Sequence, residues 1–345
     1  MNYLNMCIKK DISIKTAMKK LDESDNKILF IVEENKLLAT LTDGDIRRYL
    51  IAGGDLGDCA YKAANCNPLS ALSIDKARRL YDRKDYIAIP IINDKGELTD
   101  IYLGEDSLYH KIYRLKVPVV VNAGGRGTRL DPFTKVLPKP LIPVGDLPII
   151  EHIMREYEKY GCYDFHIIVN YKKQLVKAYF KESEHKYNIK WHDEEVALGT
   201  GGGLCFLKGQ IHETFFFTNC DILLKSNYDS MIRYHKESGN AITMVCAYKN
   251  ITIPYGVIEM GENASIENMK EKPELSFLTN TGMYIVEPEV LDDIEDNVPI
   301  GFPDIIKLQK EKGRKVSVYP VSENEWMDMG QLSELEKMRI RLYGE

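Results

Sequence analysis

The chain has 345 residues, of which 44% are hydrophobic and 28% charged, and this length and apolar content suit about two globular domains. Its net charge of −6 argues against a general nucleic-acid binder, because such proteins present a basic face to phosphates. No apolar run reaches the roughly 20 residues of a membrane span, and the N-terminus lacks the apolar core of a secretory signal. Seven scattered cysteines without a CxxC pair indicate buried free thiols, so we expect a cytoplasmic protein.

Residues 1–115 contain two short units with the same order of predicted elements. In the first unit (11–50), apolar residues at helical spacing predict a helix, which is followed by the strands ILFIVE and KLLATLT and by a second helix from about Asp45. The second unit (68–109) repeats this order with a helix, the strand YIAIPIIN, the turn NDKG, the strand ELTDIYL and a further helix start. Two copies indicate an internal duplication rather than a solenoid.

The segment LTDGDIRR at 41–48 gives the first unit a resemblance to cystathionine-β-synthase (CBS) modules, and the two units together resemble a CBS pair. In that family a Thr and an Asp before a helix hold the ribose of an adenine nucleotide, which implies Thr42 and Asp45 here as ligands of an adenine or guanine nucleotide. A helix N-terminus also attracts phosphate. The alternative is that Asp45 only caps its helix. The second copy has Gly104 in place of the Thr, which weakens the expectation of a second site.

Strands and amphipathic helices alternate from residue 117 onwards, which predicts an α/β fold with a mostly parallel sheet and helices on both of its faces. The predicted strands are VPVVVNA, FHIIVN, TFFFTNCD, AITMVCAY and TGMYIVEP. The predicted helices are PIIEHIMREYEKYG, which starts at a Pro and stops at a Gly, KKQLVKAYFKE and the C-terminal LSELEKMRIRLYGE. We therefore expect one module at 1–115 and an α/β domain at 116–345.

The first of these strands leads into AGGRGTRLDPFTKVLPKP, a loop rich in glycine. Glycines after a strand let backbone N–H groups approach a triphosphate closely, and Arg126 and Arg129 add forked donors that suit phosphate. A Walker loop is excluded, because no Lys-Ser or Lys-Thr follows the glycines. A dinucleotide fingerprint is excluded as well, because Leu130 stands where its third glycine belongs.

The longer segment AGGRGTRLDPFTKVLPKPLIPV resembles the signature of the sugar-1-phosphate nucleotidyltransferases. The resemblance extends over 117–345 through the segments ALGTGGGL (197–204), NCD (219–221), YGVIEM (255–260), KEKP (270–273), NTGMYI (280–285) and WMDMGQ (326–331). It implies a Rossmann-like nucleotidyltransferase fold and the reaction of a nucleoside triphosphate with a sugar 1-phosphate to give a nucleotide sugar and pyrophosphate. Asn122 is a departure, since the family usually has an apolar residue at this position.

The resemblance also implies a role for each matching residue. The implied catalytic residues are Arg129, which binds the leaving phosphates, Lys139, which binds the α-phosphate, and Lys272, which binds the attacking sugar phosphate. Two carboxylates, Asp221 and Asp328, are implied as ligands of Mg²⁺. The implied nucleotide-binding residues are Gly124, Gly125, Gly127, Thr128, Gly199 and Thr200, and the implied sugar-binding residues are Gly201, Gly256, Glu271 and Thr281. Because both reactants are anions, positioning and electrostatic stabilisation supply the rate.

The loop LGTGGG resembles that of guanylyltransferases acting on mannose-, heptose- or glucosamine-type phosphates more than that of thymidylyl enzymes. Together with the CBS pair it resembles the bacterial guanylyltransferases that make GDP-glucosamine from GTP and glucosamine 1-phosphate in legionaminic-acid biosynthesis, and we expect that reaction. The alternatives are mannose or heptose 1-phosphate as acceptor, and UTP, dTTP or CTP as donor. A non-catalytic, nucleotide-sensing regulatory protein of the same fold is a different class, but such a derivative is expected to lose several site residues. CBS modules commonly pair, so we expect at least a dimer.

Overall fold

The computed structural model describes residues 3–24, 27–81, 86–103 and 115–344. The chain folds as two compact units, Met1–Lys111 and Ile112–Glu345. The boundary predicted near residue 115 borders on residues 104–114, which lie outside the described ranges. The helix start predicted after the second copy, including Gly104, also lies outside them.

The first unit contains the two predicted helix–strand–strand copies. The elements of the first copy are β1 Cys7–Ile8, α1 Ile14–Glu23, β2 Ile28–Glu33, β3 Lys36–Thr42 and α2 Asp43–Ile51, and those of the second are α3 Ile74–Tyr81, β4 Ile89–Ile92 and β5 Leu98–Tyr102. β1, β2 and β3 form one sheet in that order, and β4 pairs with β5 in another. Of the apolar positions that predicted α1, Ile14, Ala17 and Leu21 are buried and Met18 is half-buried.

The second unit contains the remaining elements. Its strands are β6 Val119–Ala123, β7 Pro143–Val144, β8 Leu147–Pro148, β9 Asp164–Val169, β10 Asn188–Asp193, β11 Phe215–Asn219, β12 Ile222–Leu224, β13 Ile242–Thr252, β14 Val257–Met260, β15 Ile266–Lys270, β16 Glu274–Val286, β17 Val316–Val321 and β18 Trp326–Asp328. Its helices are α4 Phe133–Val136, α5 Ile149–Glu158, α6 Lys173–Glu182, α7 Tyr228–Ser238, α8 Phe302–Glu311 and α9 Leu332–Tyr343.

Seven strands form the central sheet of this unit in the order β10-β9-β6-β11-β16-β13-β17. All neighbouring pairs are parallel except those that β16 makes with β11 and β13. The predicted α/β fold with a mostly parallel sheet is therefore confirmed. The valines of β6 run without interruption because the strand is buried on both faces. Val119 and Val121 pack into one hydrophobic core of this unit, and Val120 packs into the other.

Beyond the sheet, β13 and β16 continue as a two-stranded ribbon as far as the pair Thr252–Glu274. The chain between them forms the antiparallel hairpin β14–β15. We call residues 249–278 the arm. Almost all of the arm is exposed, so it contributes little to the cores of the unit.

The seven cysteines are free thiols, as expected. The expectation that they are buried is correct for four of them, whereas Cys7 and Cys59 are half-buried and Cys66 is exposed. Within the described ranges, no helix combines the length and the apolar character that crossing a membrane requires.

Candidate active site

The candidate site lies where the parallel strands of the sheet end. Ala123 of β6 pairs with Val169 of β9, Val169 pairs with Asp193 of β10, and Asn122 pairs with Asn219 of β11. Because these strands run in the same direction, the residues that follow them meet at one edge of the sheet, where α/β folds bind ligands. Those residues are Gly124, Asn170, Glu194 and Asp221.

The first glycine loop is held against the segment that carries Lys139. Gly127 has a left-handed backbone with φ +65°, and a Cβ placed there would lie 3.0 Å from Thr134 Cγ2 and 3.2 Å from Lys139 Cβ. The Thr134 hydroxyl donates to Gly127 O at 3.1 Å. A side chain at this position would therefore meet both strain and crowding, while Gly125, Thr128 and Arg129 remain exposed and accessible to a ligand.

Lys139 forms an ion pair with Asp221. The two side chains are only 12% and 11% exposed, so the pair is largely withdrawn from water. Burial lowers the pKa of Lys139, but the negative charge of Asp221, the hydrogen bond to it and the smaller effect of Asp328 hold that pKa above its ordinary value. Lys139 is therefore a fixed positive charge at the edge of the sheet.

Asp328 is brought to the same place by the pairing of β12 with β18, in which it lies opposite Ile222, the residue after Asp221. The N–H of Met329 donates to Asp221 O at 2.9 Å, and the N–H of Gly330 donates to Asp328 Oδ1 at 2.7 Å. Burial and the negative charge of Asp221 raise the pKa of Asp328, against smaller opposing effects of Gly330, Lys139 and Arg129. Two carboxylates far apart in sequence thus interact electrostatically beside one lysine.

These two carboxylates fit a hard divalent cation. Among the described residues there is no group of three or more His, Cys, Asp or Glu side chains that could enclose a metal. Mg²⁺ does not need one, because it usually binds one or two carboxylates and takes its other ligands from substrate phosphates and water. Asp221 and Asp328 are such a donor set.

The second glycine loop packs on the start of α8. A Cβ on Gly199 would lie 2.7 Å from Ile300 O, and one on Gly201 would lie 2.5 Å from Ile305 Cδ1. The hydroxyl of Thr200 accepts from the N–H of Phe302 at 3.0 Å. The glycines at 199 and 201 are therefore required by this chain's own packing, and their predicted ligand contacts stay predictions.

Asn122, the departure from the family pattern, connects the two glycine loops. Its Nδ2 donates to Thr200 O at 3.4 Å, so a polar residue at the end of β6 reaches the second loop directly. An apolar side chain could not make this bond.

Glu194 lies between the two loops and was not predicted as a site residue. A Cβ on Gly124 would lie 2.7 Å from its Oε2, and one on Gly203 would lie 2.7 Å from its Oε1. The residue is only 4% exposed, and neither its Oε1 nor the nearby Asn170 Nδ2 has a hydrogen-bond partner. Burial raises the pKa of Glu194 to about 7, against a smaller lowering effect of the Leu198 N–H. The sequence feature that could have identified Glu194 is its position directly after β10, a strand that ends at this edge of the sheet.

The other predicted sugar residues are placed differently. Gly256, Glu271 and Lys272 are exposed on the arm, and a Cβ on Gly256 would lie 3.0 Å from Glu271 Oε2. Lys272 has a left-handed backbone with φ +45°, which is uncommon for a residue with a side chain and is concentrated at functional sites. Thr281, in contrast, is buried and its hydroxyl donates to Val245 O at 2.8 Å, so a sugar contact would require it to change partner.

In the first unit, Thr42 and Asp45 form a capping box at the start of α2. The N–H and hydroxyl of Thr42 donate to Asp45 Oδ2 at 2.8 and 2.6 Å, and Arg48 pairs with Asp45 Oδ1. The structure therefore shows the capping role that the sequence left open. Binding of a ribose stays a prediction, and it would have to displace Arg48, whose side chain is 73% exposed.

Comparison with known proteins gives two family matches, a nucleotidyl transferase over residues 118–342 and a CBS domain over residues 5–52. The CBS match covers the first of the two predicted copies. The bifunctional protein GlmU of Methanococcus maripaludis strain C7 is 33% identical over 204 residues, which are 56% of this chain and 47% of that protein. A mannose-1-phosphate guanyltransferase of Schizosaccharomyces pombe is 31% identical over 233 residues, which are 61% of this chain and 60% of that protein. The chain thus spans between about half and three fifths of the length of these relatives.

Among solved structures, HddC from Yersinia pseudotuberculosis superposes with a TM-score of 0.52 at 19% identity, over 65% of this chain and 98% of that one. At this identity the likeness shows the fold of the second unit. The nucleotidyl transferase match covers most of the chain, and the described site lies within it. The chain therefore belongs to the nucleotidyl transferase family, with a CBS domain preceding its transferase domain.

Proposed function

We propose that this protein transfers GMP from GTP to a hexosamine 1-phosphate, with glucosamine 1-phosphate as the favoured acceptor, and releases pyrophosphate. The observation that carries the proposal is the convergence of Lys139, Asp221 and Asp328 beside an exposed glycine loop at the carboxyl edge of the sheet. Positive charge, paired carboxylates and backbone N–H groups of an exposed loop are what a reaction between two phosphate anions requires.

In the proposed reaction, a phosphate oxygen of the sugar 1-phosphate attacks the α-phosphorus of the nucleotide and forms a new P–O bond. The bond between the α-phosphorus and the bridging oxygen breaks, and its electron pair leaves with pyrophosphate. Lys139 holds the α-phosphate, Arg129 and the loop N–H groups hold the leaving phosphates, and Lys272 holds the attacking phosphate. No covalent intermediate with the protein is needed.

Mg²⁺ is part of the proposal as the ion that Asp221 and Asp328 hold. When bound, it supplies charge neutralisation at the phosphates. The ammonium of Lys139 already lies against Asp221, so the cation and the phosphate both compete with an existing ion pair. We therefore expect the binding of the nucleotide and the binding of the metal to be coupled.

Glu194 supports GTP as the donor. The Watson–Crick edge of guanine presents two neighbouring donors, N1–H and N2–H₂, and a carboxylate accepts both. Glu194 offers a buried carboxylate between the two glycine loops, with Oε1 unpartnered. Uracil, thymine and cytosine do not present this pair of donors. The relation to a mannose-1-phosphate guanyltransferase agrees with this choice.

Glu271 supports an amino sugar as the acceptor. Its carboxylate is exposed on the arm next to Lys272, which is the proposed ligand of the sugar phosphate. A hydrogen bond between a carboxylate and a protonated amine is about twice as strong as a neutral one. Glucosamine 1-phosphate carries that amine, whereas glucose, mannose and N-acetylglucosamine 1-phosphates do not.

The test is to incubate the purified chain with Mg²⁺, GTP and one sugar 1-phosphate at a time, choosing glucosamine, mannose, glucose or N-acetylglucosamine. Product mass and pyrophosphate release are measured together. The proposal predicts GDP-glucosamine as the preferred product. It also predicts that Glu271→Gln reduces the preference for glucosamine 1-phosphate over the other three sugar phosphates. A preferred product from mannose 1-phosphate would contradict the choice of sugar, and the lack of pyrophosphate release from every pair would contradict the proposed activity.

A further inference from the structure

Asn122 is the position at the site where this chain departs from the family pattern, and its neighbours in β6 show which way its side chain faces. Successive side chains of a strand point to opposite faces of the sheet. Val119 and Val121 pack into one core of the unit and Val120 packs into the other, so Asn122 lies on the same face as Val120. Asn122 is only half-buried, which leaves it open to a ligand at the end of the strand.

The second glycine loop lies on this face of the sheet. Leu198 and Leu204 at the two ends of the loop belong to the same core as Val120. The side-chain nitrogen of Asn122 donates to Thr200 O at 3.4 Å. Thr200 is itself held by the start of α8, because its hydroxyl accepts from the N–H of Phe302 at 3.0 Å. Asn122 therefore bonds to a carbonyl group whose position is fixed.

This bond determines the orientation of the Asn122 amide. If the amide were turned over, its oxygen would face the oxygen of Thr200, and two acceptors do not form a hydrogen bond. The nitrogen carries two hydrogens, and Thr200 O takes one of them. The second hydrogen can donate to a ligand that lies beside the loop.

Glu194 approaches the same loop from the other side of Ile168. Asn122, Ile168 and His192 are paired in one row across β6, β9 and β10, and Glu194 follows His192 by two positions, which places it on the same face. A Cβ on Gly203 would lie 2.7 Å from both Glu194 Oε1 and Ile168 Cγ2. Because neighbouring strands are only about 4.8 Å apart, the Asn122 amide and the Glu194 carboxylate lie within reach of a single base.

The common bases differ in the group that such an N–H donor would meet. Guanine, uracil and thymine carry a carbonyl oxygen, O6 or O4, whereas adenine and cytosine carry an amino group. An N–H group binds the carbonyl oxygen but opposes the amino group, since two donors then face each other. Glu194 adds a different requirement, because its carboxylate accepts from two neighbouring N–H donors. Of these bases, only guanine satisfies both.

We propose that Asn122 is a specificity-determining residue of the donor site and that its side-chain N–H donates to O6 of guanine. This inference rests on the proposed function, in which Glu194 holds the neighbouring N–H groups of the same base. Asn122 then selects against ATP and CTP, whose amino groups meet its N–H. An apolar residue at this position makes no such distinction, so the departure from the family pattern makes the selection of the base stricter.

The test uses analogues of the base that change one contact at a time. 6-Thioguanosine triphosphate keeps both N–H groups but has sulfur, a weak acceptor, in place of O6. Inosine triphosphate keeps O6 but lacks the 2-amino group. The dissociation constants of GTP and of both analogues are measured by titration calorimetry with Mg²⁺ and without a sugar 1-phosphate. The proteins compared are the wild type, Asn122→Leu and Asn122→Asp.

We expect the wild type to bind 6-thioguanosine triphosphate about tenfold more weakly than GTP, because one hydrogen bond to the base is lost. Asn122→Leu, which continues the apolar character of β6, should bind the two nucleotides equally. Asn122→Asp should weaken the binding of GTP more than Asn122→Leu does, because a carboxylate opposes O6. Inosine triphosphate should be weakened relative to GTP by the same factor in the wild type and in Asn122→Leu, because it loses only a contact with Glu194.

An equal preference for GTP over 6-thioguanosine triphosphate in the wild type and in Asn122→Leu would overturn the proposal. A change in the inosine triphosphate ratio instead would also overturn it, because Asn122 would then act on the 2-amino group.

Pyrophosphate release from GTP and glucosamine 1-phosphate, measured on the same proteins, separates this proposal from the proposed function. If the binding ratios change as expected and no pyrophosphate is released, the contact between Asn122 and O6 stands and the proposed reaction fails. If GDP-glucosamine forms while the binding ratios are the same in the wild type and Asn122→Leu, the reaction stands and the contact fails. A wild type that binds none of the three nucleotides would overturn both.

Discussion

Lys139 and Asp221 are each other's ion-pair partners, although the sequence pattern assigns one to a phosphate and the other to a metal. Their side chains are 12% and 11% exposed, so the attraction between them is screened little by solvent. A phosphate that binds Lys139 and a cation that binds Asp221 both have to replace this contact. The pair therefore links the two predicted ligands, because binding either one frees the residue that holds the other.

Lys139→Ala should lower kcat roughly 100-fold or more, since it removes a preorganised positive charge from the phosphates. The measurement is steady-state pyrophosphate release with a saturating nucleotide and sugar 1-phosphate. Lys135→Ala is the matched control, because Lys135 is an exposed lysine only four positions away. Turnover near the wild-type rate in Lys139→Ala would show that this lysine does not contact the reacting phosphates.

Asp328→Asn should make the protein more stable and less active. The pKa of Asp328 is raised in the folded chain by burial and by Asp221, so its charged form is disfavoured there and costs stability at pH 7. Asparagine has no charge to bury, and the melting temperature should rise. Turnover should fall roughly 100-fold or more, because the phosphates lose a metal ligand.

The control for this substitution is Asp146→Asn at an exposed position, which should change neither property. A less stable Asp328→Asn variant would mean that the charge of Asp328 is favourable in the fold. A stable and fully active Asp328→Asn variant would show that Asp328 is not a ligand of the proposed metal.

Glu194 should give kcat/KM for GTP a dependence on pH. Its pKa is raised to about 7, so below that pH the carboxyl becomes protonated and loses its capacity to accept two N–H groups from guanine. We expect kcat/KM for GTP to fall about tenfold per pH unit below pH 7. Glu194→Gln should remove this dependence and lower kcat/KM roughly 10- to 100-fold. A wild-type profile that is flat between about pH 6 and pH 8, one unit either side of that pKa, would contradict this role.

The buried pair His166 and His192 should make the fold sensitive to acid. The rings are nearly parallel and meet through their nitrogens, with Nδ1 of His166 at 3.0 Å from Nε2 of His192. Burial, the other ring and Lys190 lower the pKa of His166 to about 4, against an opposing effect of Asp164. Burial and Lys190 also lower the pKa of His192, against Asp193.

The direction in which pH changes the stability of the fold follows from these two lowered pKa values. Below the unfolded pKa of about 6.5 the unfolded chain takes up protons that the folded chain does not, so stability is full above that pH and falls as the pH drops towards 4. His166 alone should account for about 2 kcal/mol lost between pH 6.5 and pH 5. Urea unfolding at both pH values measures the loss, and His166→Gln should reduce it, whereas His212→Gln at an exposed position should not. An unfolding free energy that is equal at both pH values would contradict this account.

The hydrophobic pattern of the sequence predicted the fold of the second unit. Its strands are apolar on both faces, as in β6, and its helices are apolar on one face, as in α5. Its motifs single out Gly127, Lys139, Asp221 and Asp328 as candidate site residues, but they do not show how these residues meet. The pairing of β12 with β18 that brings Asp328 to Asp221 is a contact between distant segments, and local periodicity carries no information about it.

No motif marks Glu194, and its position after a strand is only a weak signal, because burial between the two loops gives the residue its properties. The sequence predicts ligand contacts for Gly199 and Gly201, which stay predictions, and it did not reveal that Ile300 and Ile305 of this chain also occupy the space beside these glycines. A glycine needed for packing and one needed for a ligand look the same in a sequence.

The measurement that tests the central claim most directly is a competition among nucleotides. The protein is mixed with Mg²⁺, glucosamine 1-phosphate and equal amounts of GTP, UTP, CTP, dTTP and ATP, and the mass of the nucleotide sugar is determined. The account predicts GDP-glucosamine as the main product, with this preference reduced in Glu194→Gln. A main product that contains another base, unchanged by Glu194→Gln, would contradict it.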